Sequence, residues 1–314
     1  MADTIEINEC FARDGLQHEE VFVPTSTKIG LLDGFAKAGF RRIEATSYSH
    51  PRWVPSFADA SDLLRELPRH PGVFYKATCP NPKAVERAMG DRHAGYGPEE
   101  ISLLNSASEA HSVKNLRASK AEQWDKISTM MRLAQGEFRL VGVVSVAFGC
   151  PFEGRLDPGV VAEDVRKFRE LGADIITIGD TTGLADPRAV RALFSRLDAE
   201  HPGFSFVAHF HNTRGAGLAN AVAAYEAGCT RFDTAMGGVG GHPAQIEYGA
   251  GQTGNIATED AVNLFESMGV STGLDLDHVM RLSAACERAL GRELYSQVAR
   301  AGLTQSTLRE KKNV

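Results

Sequence analysis

The chain has 314 residues, 43% of them hydrophobic and 24% charged, which is enough apolar content for a large core. Its formal net charge is -6 and its lysines and arginines are scattered, so a nucleic-acid partner is not expected. Five widely spaced cysteines without a CxxC pair favour a reducing compartment. No signal peptide and no apolar stretch of membrane-spanning length is present, so we expect a cytoplasmic protein with no membrane partner.

Short β-rich runs alternate with longer amphipathic runs along most of the chain. The alternation predicts eight strands: Ile5–Cys10, Arg42–Thr46, Val73–Thr78, Glu100–Leu104, Leu140–Ala147, Ile175–Ile178, Ser205–Phe210 and Thr230–Ala235. So many βαβ units favour an α/β fold with a closed (β/α)8 barrel. An open, doubly wound sheet is the alternative.

Glycines mark the ends of several predicted helices. Thr25–Ala38 follows the helix pattern, with Thr25-Ser26-Thr27 as capping residues and Gly39 as its end. The runs 158–171 and 220–227 also lead into a glycine before the next strand. After the last strand, Thr258–Glu266 and Leu276–Val298 are predicted helices, so residues of about 257–310 should pack outside the barrel. We expect 1–314 to form one catalytic domain.

In such a barrel, active sites lie at the carboxyl ends of the strands. Arg13-Asp14-Gly15-Leu16-Gln17 directly follows the first predicted strand. The neighbouring cation favours an ionised Asp14, and Gly15 eases the turn of the backbone. These five residues alone are equally compatible with a surface ion pair.

A pair of histidines ends the seventh predicted strand. Residues i and i+2 of a strand point to the same side, so His209 and His211 should face the barrel mouth while Phe210 packs outward. Two such imidazoles can share one metal ion. The alternative is two hydrogen-bonded histidines at a polar rim, which is less common for this spacing.

Other polar positions are less specific. The glycine-rich stretch 237–243 follows the eighth strand and suggests a mobile lid or a close approach to a ligand. Glu44 can orient Arg13 or lie at the core edge, and Asp180 can lie near a metal or cap the next helix. Lys76 can act as a Schiff-base nucleophile if it faces inward, although strand lysines are more often solvated.

Taken together, these stretches resemble the 3-hydroxy-3-methylglutaryl-CoA lyase family, within a larger group of metal-dependent TIM-barrel lyases. The likeness spans nearly the whole chain. It includes Arg13–Gln17, Ile43–Ser47, Ser106–Ala110 with Lys114-Asn115, Phe148–Gly154, Gly179–Thr181, His209/His211 and Gly254–Asp260.

The resemblance implies a bound Mg²⁺ or Mn²⁺. Its ligands would be Asp14, His209, His211 and Asn255. One carboxylate, two neutral imidazoles and an amide oxygen leave residual positive charge and open positions for substrate oxygens.

The resemblance also implies catalytic roles. Arg13 would stabilise the enolate oxygen, with Glu44 holding the guanidinium in place. The substrate would be a branched 3-hydroxy acid or its CoA thioester, cleaved by retro-Claisen chemistry to acetyl-CoA and a keto acid. The base that removes the hydroxyl proton would be Asp14 or His209.

Further residues are expected to bind the substrate. Besides Arg13, they are Gln17, Asp180, Lys114 and Asn115, of which Lys114 and Asn115 can meet CoA phosphates or form a solvated helix start.

The glycine-rich stretch departs from the family pattern. Lyases of this family usually carry a cysteine there, as Gly-Gly-Cys-Pro, whereas this chain has His242 and an apparent insertion of Gln245–Tyr248. His242 is a hypothetical general acid in place of the thiol, because histidine can donate a proton near neutral pH. The change equally suits a different branched 3-hydroxy substrate, or a lid that no longer takes part in acid catalysis.

Two other classes of function remain open at this stage. A metal-free aldolase would use Lys76, and a barrel kept only as a scaffold would not need the intact polar set. The sequence does not determine the oligomeric state, and a homodimer is a hypothesis.

Overall fold

The structure is a computed structural model that describes residues 3–241 and 254–305. Its eight strands form a closed barrel in the order β1 to β8, and all neighbouring pairs are parallel. The strands are Glu6–Glu9 (β1), Arg42–Ser47 (β2), Phe74–Thr78 (β3), Glu100–Ser106 (β4), Arg139–Ser145 (β5), Ile175–Asp180 (β6), Ser205–Phe210 (β7) and Arg231–Thr234 (β8). The predicted (β/α)8 barrel is confirmed, and the open sheet is excluded because β8 pairs with β1.

Helices follow the strands and surround the barrel. They are Thr25–Ala38 (α1), Ala60–Glu66 (α2), Pro82–His93 (α3), Glu109–His111 (α4), Lys120–Ala134 (α5), Pro158–Glu170 (α6), Pro187–Glu200 (α7), Gly217–Glu226 (α8), Thr258–Ser267 (α9), Leu276–Leu290 (α10) and Val298–Ala301 (α11). Within the two described ranges, none of them is long and apolar enough to cross a bilayer.

Two helix ends differ from the prediction. The predicted helix from Leu276 to Val298 is wrong beyond Leu290, because Gly291 takes a left-handed conformation (φ 65°) and ends α10. At the start of α1 the cap residue is Pro24, not the threonine and serine run. Thr25 instead donates from its hydroxyl to Asp59 at 2.8 Å, which ties α1 to the residue that directly precedes α2.

The apolar core lies mainly between the strands and the surrounding helices. The ring of Phe210 in β7 packs outward against Phe194 of α7, at 6.4 Å between ring centroids, as its place between two inward histidines predicts. Inside the barrel, a small cluster of Val141, Ile175 and Val207 fills one part of the interior. Much of the rest of the interior is lined by polar side chains, which continue up to the site.

The amino end of the barrel interior is closed by a buried ionic cluster. Glu100 receives hydrogen bonds from Arg42 on one side (2.7 Å) and from Arg139 on the other (2.9 Å). Arg42 and Glu100 are almost fully buried, so each needs the other to offset its lost hydration. The cluster therefore fixes the end of the barrel away from the site.

Gly142 of β5 gives a test of how closely the helical layer packs on the strands. A Cβ at this position would lie 2.6 Å from ring atoms of Phe168 in α6. We expect Gly142→Ala to lower the free energy of unfolding by about 1–3 kcal/mol, because a buried ring must shift. The measurement is urea unfolding.

The matched control is Gly90→Ala in α3, where a Cβ would meet no atom within 4 Å. This change should raise the free energy of unfolding by up to about 1 kcal/mol through helix propensity. Equal stability of the two variants would contradict the close packing of α6 on β5.

Candidate metal centre and active site

Three potential metal ligands meet at the carboxyl end of the barrel. Asp14 lies in the π-helical turn Phe11–Gly15 that follows β1, and His209 and His211 lie at the end of β7. One ligand atom from each lies within 4.8 Å of the other two. Asp14 and His211 are buried, and His209 is half-buried. The structure therefore brings together the three residues that the sequence singled out.

The spacing of the two imidazoles suits a shared cation. Their Nε2 atoms lie 3.1 Å apart. Two ligands at bond lengths of ~2.1 Å and a right angle would be about 3.0 Å apart. This separation is therefore the one expected for neighbouring ligands of one metal ion.

Asn255 completes the set from another segment. Its Nδ2 donates to Asp14 Oδ2 at 2.7 Å and to the carbonyl of Val239 at 3.0 Å. Its buried Oδ1 has no hydrogen-bond donor among the described residues. A buried amide oxygen without a donor is costly, and a metal ion would satisfy it. One carboxylate, two imidazoles and an amide oxygen thus fit a divalent cation.

The electrostatics of Asp14 keep it ionised. Burial alone would raise the pKa of this carboxyl, but Arg13 and the two histidines outweigh burial and hold the pKa well below its usual range. Asp14 is therefore a carboxylate at any physiological pH and can bind a cation without first losing a proton.

The Arg13 guanidinium lies between two carboxylates, which excludes the alternative of a surface ion pair. Its Nη1 lies 2.6 Å from Asp14 Oδ1 and its Nη2 lies 2.7 Å from Glu44 Oε2. Glu44 is buried in β2 and also accepts a hydrogen bond from Thr78 at 2.9 Å. Gln17 accepts weakly from the same guanidinium, at 3.4 Å. The guanidinium has a fixed position beside the metal ligands.

Sequence reasoning missed Asp233, which lies behind His209. Its Oδ2 is 3.3 Å from His209 Nδ1, and its Oδ1 accepts from Asn8 Nδ2 at 2.8 Å. A carboxylate in this position fixes the ring orientation of a metal-binding histidine. The pairing of β7 with β8 places His209 opposite Asp233, and that register was not known from the sequence.

Glu9 was also missed. It lies on the outer side of β1, where the helices pack, and its carboxylate accepts from the backbone N–H groups of Phe11 (2.8 Å) and Met236 (3.0 Å) and from the Thr258 hydroxyl (2.7 Å). Burial raises the pKa of Glu9 to about 8, despite these three donors. The Glu9 side chain thus links three segments: the turn that carries Asp14, the start of the glycine-rich stretch, and the residues that follow Asn255.

Asp180, expected to bind substrate, is turned towards its own loop. Its two oxygens accept from the backbone N–H groups of Leu184 (2.9 Å) and Ala185 (3.1 Å). Burial raises its pKa to about 6. The alternative of a helix cap is wrong, because Asp186 caps α7 and Asp180 instead closes the loop before that helix. Substrate binding by Asp180 stays a prediction.

Lys76 faces inward but does not suit a Schiff-base nucleophile. The side chain is buried, and its Nζ lies 3.6 Å from Glu44 Oε1. Burial lowers the pKa of Lys76, but Glu44 and Asp233 outweigh burial, so the pKa is raised. A Schiff-base lysine must lose its proton, so these surroundings disfavour the metal-free aldolase.

The rim of the mouth carries exposed aromatic rings with cations against them. Lys114 lies 3.6 Å from the ring centroid of Phe152, and Arg117 lies 4.4 Å from that of Trp53. Trp53 is 57% exposed, a large apolar surface for a loop residue. Lys114 is exposed and Asn115 half-buried, so both can reach a ligand at the rim.

The structure describes the glycine-rich stretch as far as Gly241. A Cβ at Gly240 would lie 2.4 Å from Asn255 Nδ2, so this glycine permits the backbone to approach the ligand set. His242 and Gln245–Tyr248 lie outside the described residues.

Comparison with known proteins gives the family. The sequence profile described as HMGL-like matches residues 4–286. The chain belongs to the HMGL-like family. The family predicted from the motifs is therefore confirmed.

Relatives of this HMGL-like chain align along nearly all of it. The chain is 36% identical over 298 residues to "Hydroxymethylglutaryl-CoA lyase, mitochondrial" of Macaca fascicularis, covering 95% of this chain and 89% of the relative. It is 36% identical over 300 residues to the hydroxymethylglutaryl-CoA lyase of Pseudomonas mevalonii, covering 95% and 96%. A solved HMG-CoA lyase of Acinetobacter baumannii, in complex with coenzyme A and 3-methylmalate, superposes with a TM-score of 0.90 at 38% identity and 96% coverage of both chains.

The carboxylate behind His209 can be tested without substrate. We expect Asp233→Asn to weaken Mn²⁺ binding by about 10- to 100-fold, because a neutral amide is a weaker acceptor for the ring N–H than a carboxylate. Titration calorimetry on the metal-free protein measures this. Asp198→Asn, an exposed aspartate of α7, is the control and should bind like the wild type. Unchanged affinity in Asp233→Asn would show that Asp233 does not support a metal ligand.

Proposed function

We propose that this chain is a metal-dependent carbon–carbon lyase that cleaves 3-hydroxy-3-methylglutaryl-CoA to acetyl-CoA and acetoacetate. The observation that supports it most strongly is that Asp14, His209, His211 and Asn255 meet at one place in the site. Arg13 lies directly beside them, and the chain belongs to the HMGL-like family. The relatives named above are lyases of this type.

The proposed metal ligands are Asp14, His209, His211 and Asn255. A divalent ion there, Mg²⁺ or Mn²⁺, would polarise the substrate's hydroxyl and carbonyl oxygens and lower the pKa of the hydroxyl. Three of the four side chains are buried, which limits competition from bulk water.

In the proposed reaction, a base removes the proton of the tertiary hydroxyl and the C2–C3 bond breaks. The hydroxyl carbon becomes the ketone of acetoacetate, and the bond's electron pair forms the enolate of acetyl-CoA. Arg13 would stabilise the enolate oxygen, since Glu44 and Asp14 fix its guanidinium but leave it partly exposed.

The base would be Asp14 or His209. Burial alone lowers the pKa of His209, but Asp233 and Asp14 outweigh burial and raise it. With Nε2 on the metal and Nδ1 facing Asp233, however, the His209 ring has no nitrogen left to accept the hydroxyl proton. The pKa of Asp14 is held well below its usual range, which makes its carboxylate a weak base.

Part of the barrel interior near the site is apolar, on the side of β4 and β5. Leu104 and Val143 are half-buried residues of β4 and β5 at the carboxyl half of the barrel, next to the half-buried Ser145. They would accommodate the methyl branch of the substrate. At the rim, Lys114 and Asn115 would meet the CoA phosphates, and Trp53 offers a flat surface for the base.

A different branched 3-hydroxyacyl thioester is the second candidate substrate. It is favoured by His242 in the position where the family usually has cysteine, and by the insertion of Gln245–Tyr248. The reaction class would be unchanged.

We also propose a cytoplasmic location. The five cysteines are all buried free thiols, as a reducing compartment favours. A homodimer stays a prediction.

Metal removal tests the proposed function directly. Protein stripped with EDTA should not release acetyl-CoA from hydroxymethylglutaryl-CoA, and added Mn²⁺ or Mg²⁺ should restore release. His211→Ala should not be restored at a metal concentration that saturates the wild type, whereas His93→Ala, an exposed histidine of α3, should be. An unchanged rate in EDTA would refute the metal-dependent reaction. Metal binding without cleavage would point to the second candidate substrate.

The hypothesis of His242 as general acid has its own test. We expect His242→Ala to lower kcat by about 10²- to 10⁴-fold, because the enolate loses its proton donor. His242→Cys should recover much of this loss, since cysteine is the family's usual residue. A His242→Ala variant with wild-type kcat would exclude this role.

A further inference from the structure

The exposed tryptophan at the rim of the mouth has two arginines against it. Trp53 lies between β2 and α2 and is 57% exposed. The Arg117 guanidinium lies 4.4 Å from its ring centroid, and that of Arg52 lies 5.4 Å from it. Arg52 is the neighbouring residue, whereas Arg117 reaches across from the segment between α4 and α5. Segments that follow two different strands thus place two cations at one indole ring.

The protein itself does not neutralise these two cations. In the part of the chain that the structure describes, neither arginine side chain forms an ion pair or a hydrogen bond. Lys114, three residues before Arg117, also lacks a carboxylate partner there. The chain as a whole carries a net charge of -6. Three uncompensated cations on one rim therefore form a local positive patch that suits an anionic ligand.

Arg117 adopts an uncommon backbone conformation at this position. Its φ of 52° and ψ of 40° lie in the left-handed region, directly after the π-helical turn Ser112–Leu116. A residue with a Cβ pays free energy to stay in this region, and such residues are concentrated at functional sites. Glycine or asparagine would adopt the conformation at lower cost. The arginine therefore points to a use for its guanidinium.

An exposed indole with guanidinium groups beside it suits a ligand that carries a base and a phosphate close together. Purine bases stack on indole rings, and guanidinium groups donate paired hydrogen bonds to phosphate oxygens. In CoA, the 3′-phosphate is attached to the ribose that carries the adenine. A base stacked on Trp53 would therefore bring this phosphate to the neighbouring arginines. The diphosphate lies nearer the thioester, where Lys114 and Asn115 are expected to meet it.

We propose that Trp53, Arg52 and Arg117 form the subsite for the 3′-phosphoadenosine end of the CoA thioester. Trp53 stacks with the adenine, and the two guanidinium groups bind the 3′-phosphate. The subsite favours CoA thioesters over those of 3′-dephospho-CoA or pantetheine. The inference rests on the proposed function, because it concerns the part of the same substrate that lies outside the barrel.

The experiment compares CoA with 3′-dephospho-CoA, which differ only in this phosphate. Titration calorimetry on the Mn²⁺-loaded, full-length protein gives both dissociation constants. We expect the wild type to bind CoA about 10- to 100-fold more tightly, because hydrogen bonds to a charged group are lost with the phosphate. Arg117→Gln should weaken CoA binding by about tenfold and leave 3′-dephospho-CoA binding within about threefold of the wild type. Arg52→Gln should act in the same direction.

Two further variants separate the base from the phosphate. Trp53→Ala should weaken the binding of both ligands by a similar factor, about 5- to 100-fold, because both carry the adenine. Arg41→Gln is the matched control, since Arg41 is an exposed arginine directly before β2, at the amino end of the barrel. It should bind both ligands like the wild type. In kinetics, Arg117→Gln should raise KM for hydroxymethylglutaryl-CoA by about tenfold and change kcat less.

Equal affinity of the wild type for CoA and 3′-dephospho-CoA would overturn the proposal, as would an Arg117→Gln variant that keeps the wild-type preference. An equal loss for both ligands in Arg117→Gln would show that Arg117 only supports the Trp53 ring, which also overturns it. Binding needs no turnover, so wild-type protein that prefers CoA but does not cleave hydroxymethylglutaryl-CoA contradicts the proposed function and supports the subsite. Wild-type protein that binds neither ligand contradicts both.

Discussion

A charge inside a closed barrel has no bulk water to solvate it, so each one must be offset by a neighbouring charge or a hydrogen bond. This constraint orders the interior from end to end. Arg42, Glu100 and Arg139 form the lowest cluster. Lys76 and Glu44 lie above them, and Glu44 leads to Arg13 at the mouth. The position of Arg13 therefore depends on Glu44, which also contacts a buried lysine below the site.

The metal centre is assembled from segments far apart in sequence. The turn after β1 supplies Asp14, the end of β7 supplies two histidines, and the segment that precedes α9 supplies Asn255. Glu9 joins the first and last of these by accepting from Phe11 and Thr258. Glu9 lies on the outer side of β1. Contacts outside the barrel therefore hold the ligand-bearing segments in place, in addition to those in its interior.

Membership of the HMGL-like family and the retained polar set indicate the same reaction class, while the glycine-rich stretch is where this chain departs from the family. The retained residues are those whose neighbours are fixed in the barrel. His242 belongs to the glycine-rich stretch of the sequence, between the segments that supply these retained residues. A difference in substrate or in the final proton transfer would therefore be expected there first.

The sequence by itself determined the strand and helix order, the family and the residues at the strand ends, because periodicity and motifs are local properties. It placed both histidines of β7 on one side, as the two-residue period of a strand requires. The roles of Asp233 and Glu9 came only from the tertiary structure, since they depend on which strand pairs with which and on what packs outside β1. The roles of Lys76 and Asp180 also came only from the tertiary structure. Their positions in the sequence are compatible with catalysis or substrate binding, but the fold decides which charges and N–H groups surround them.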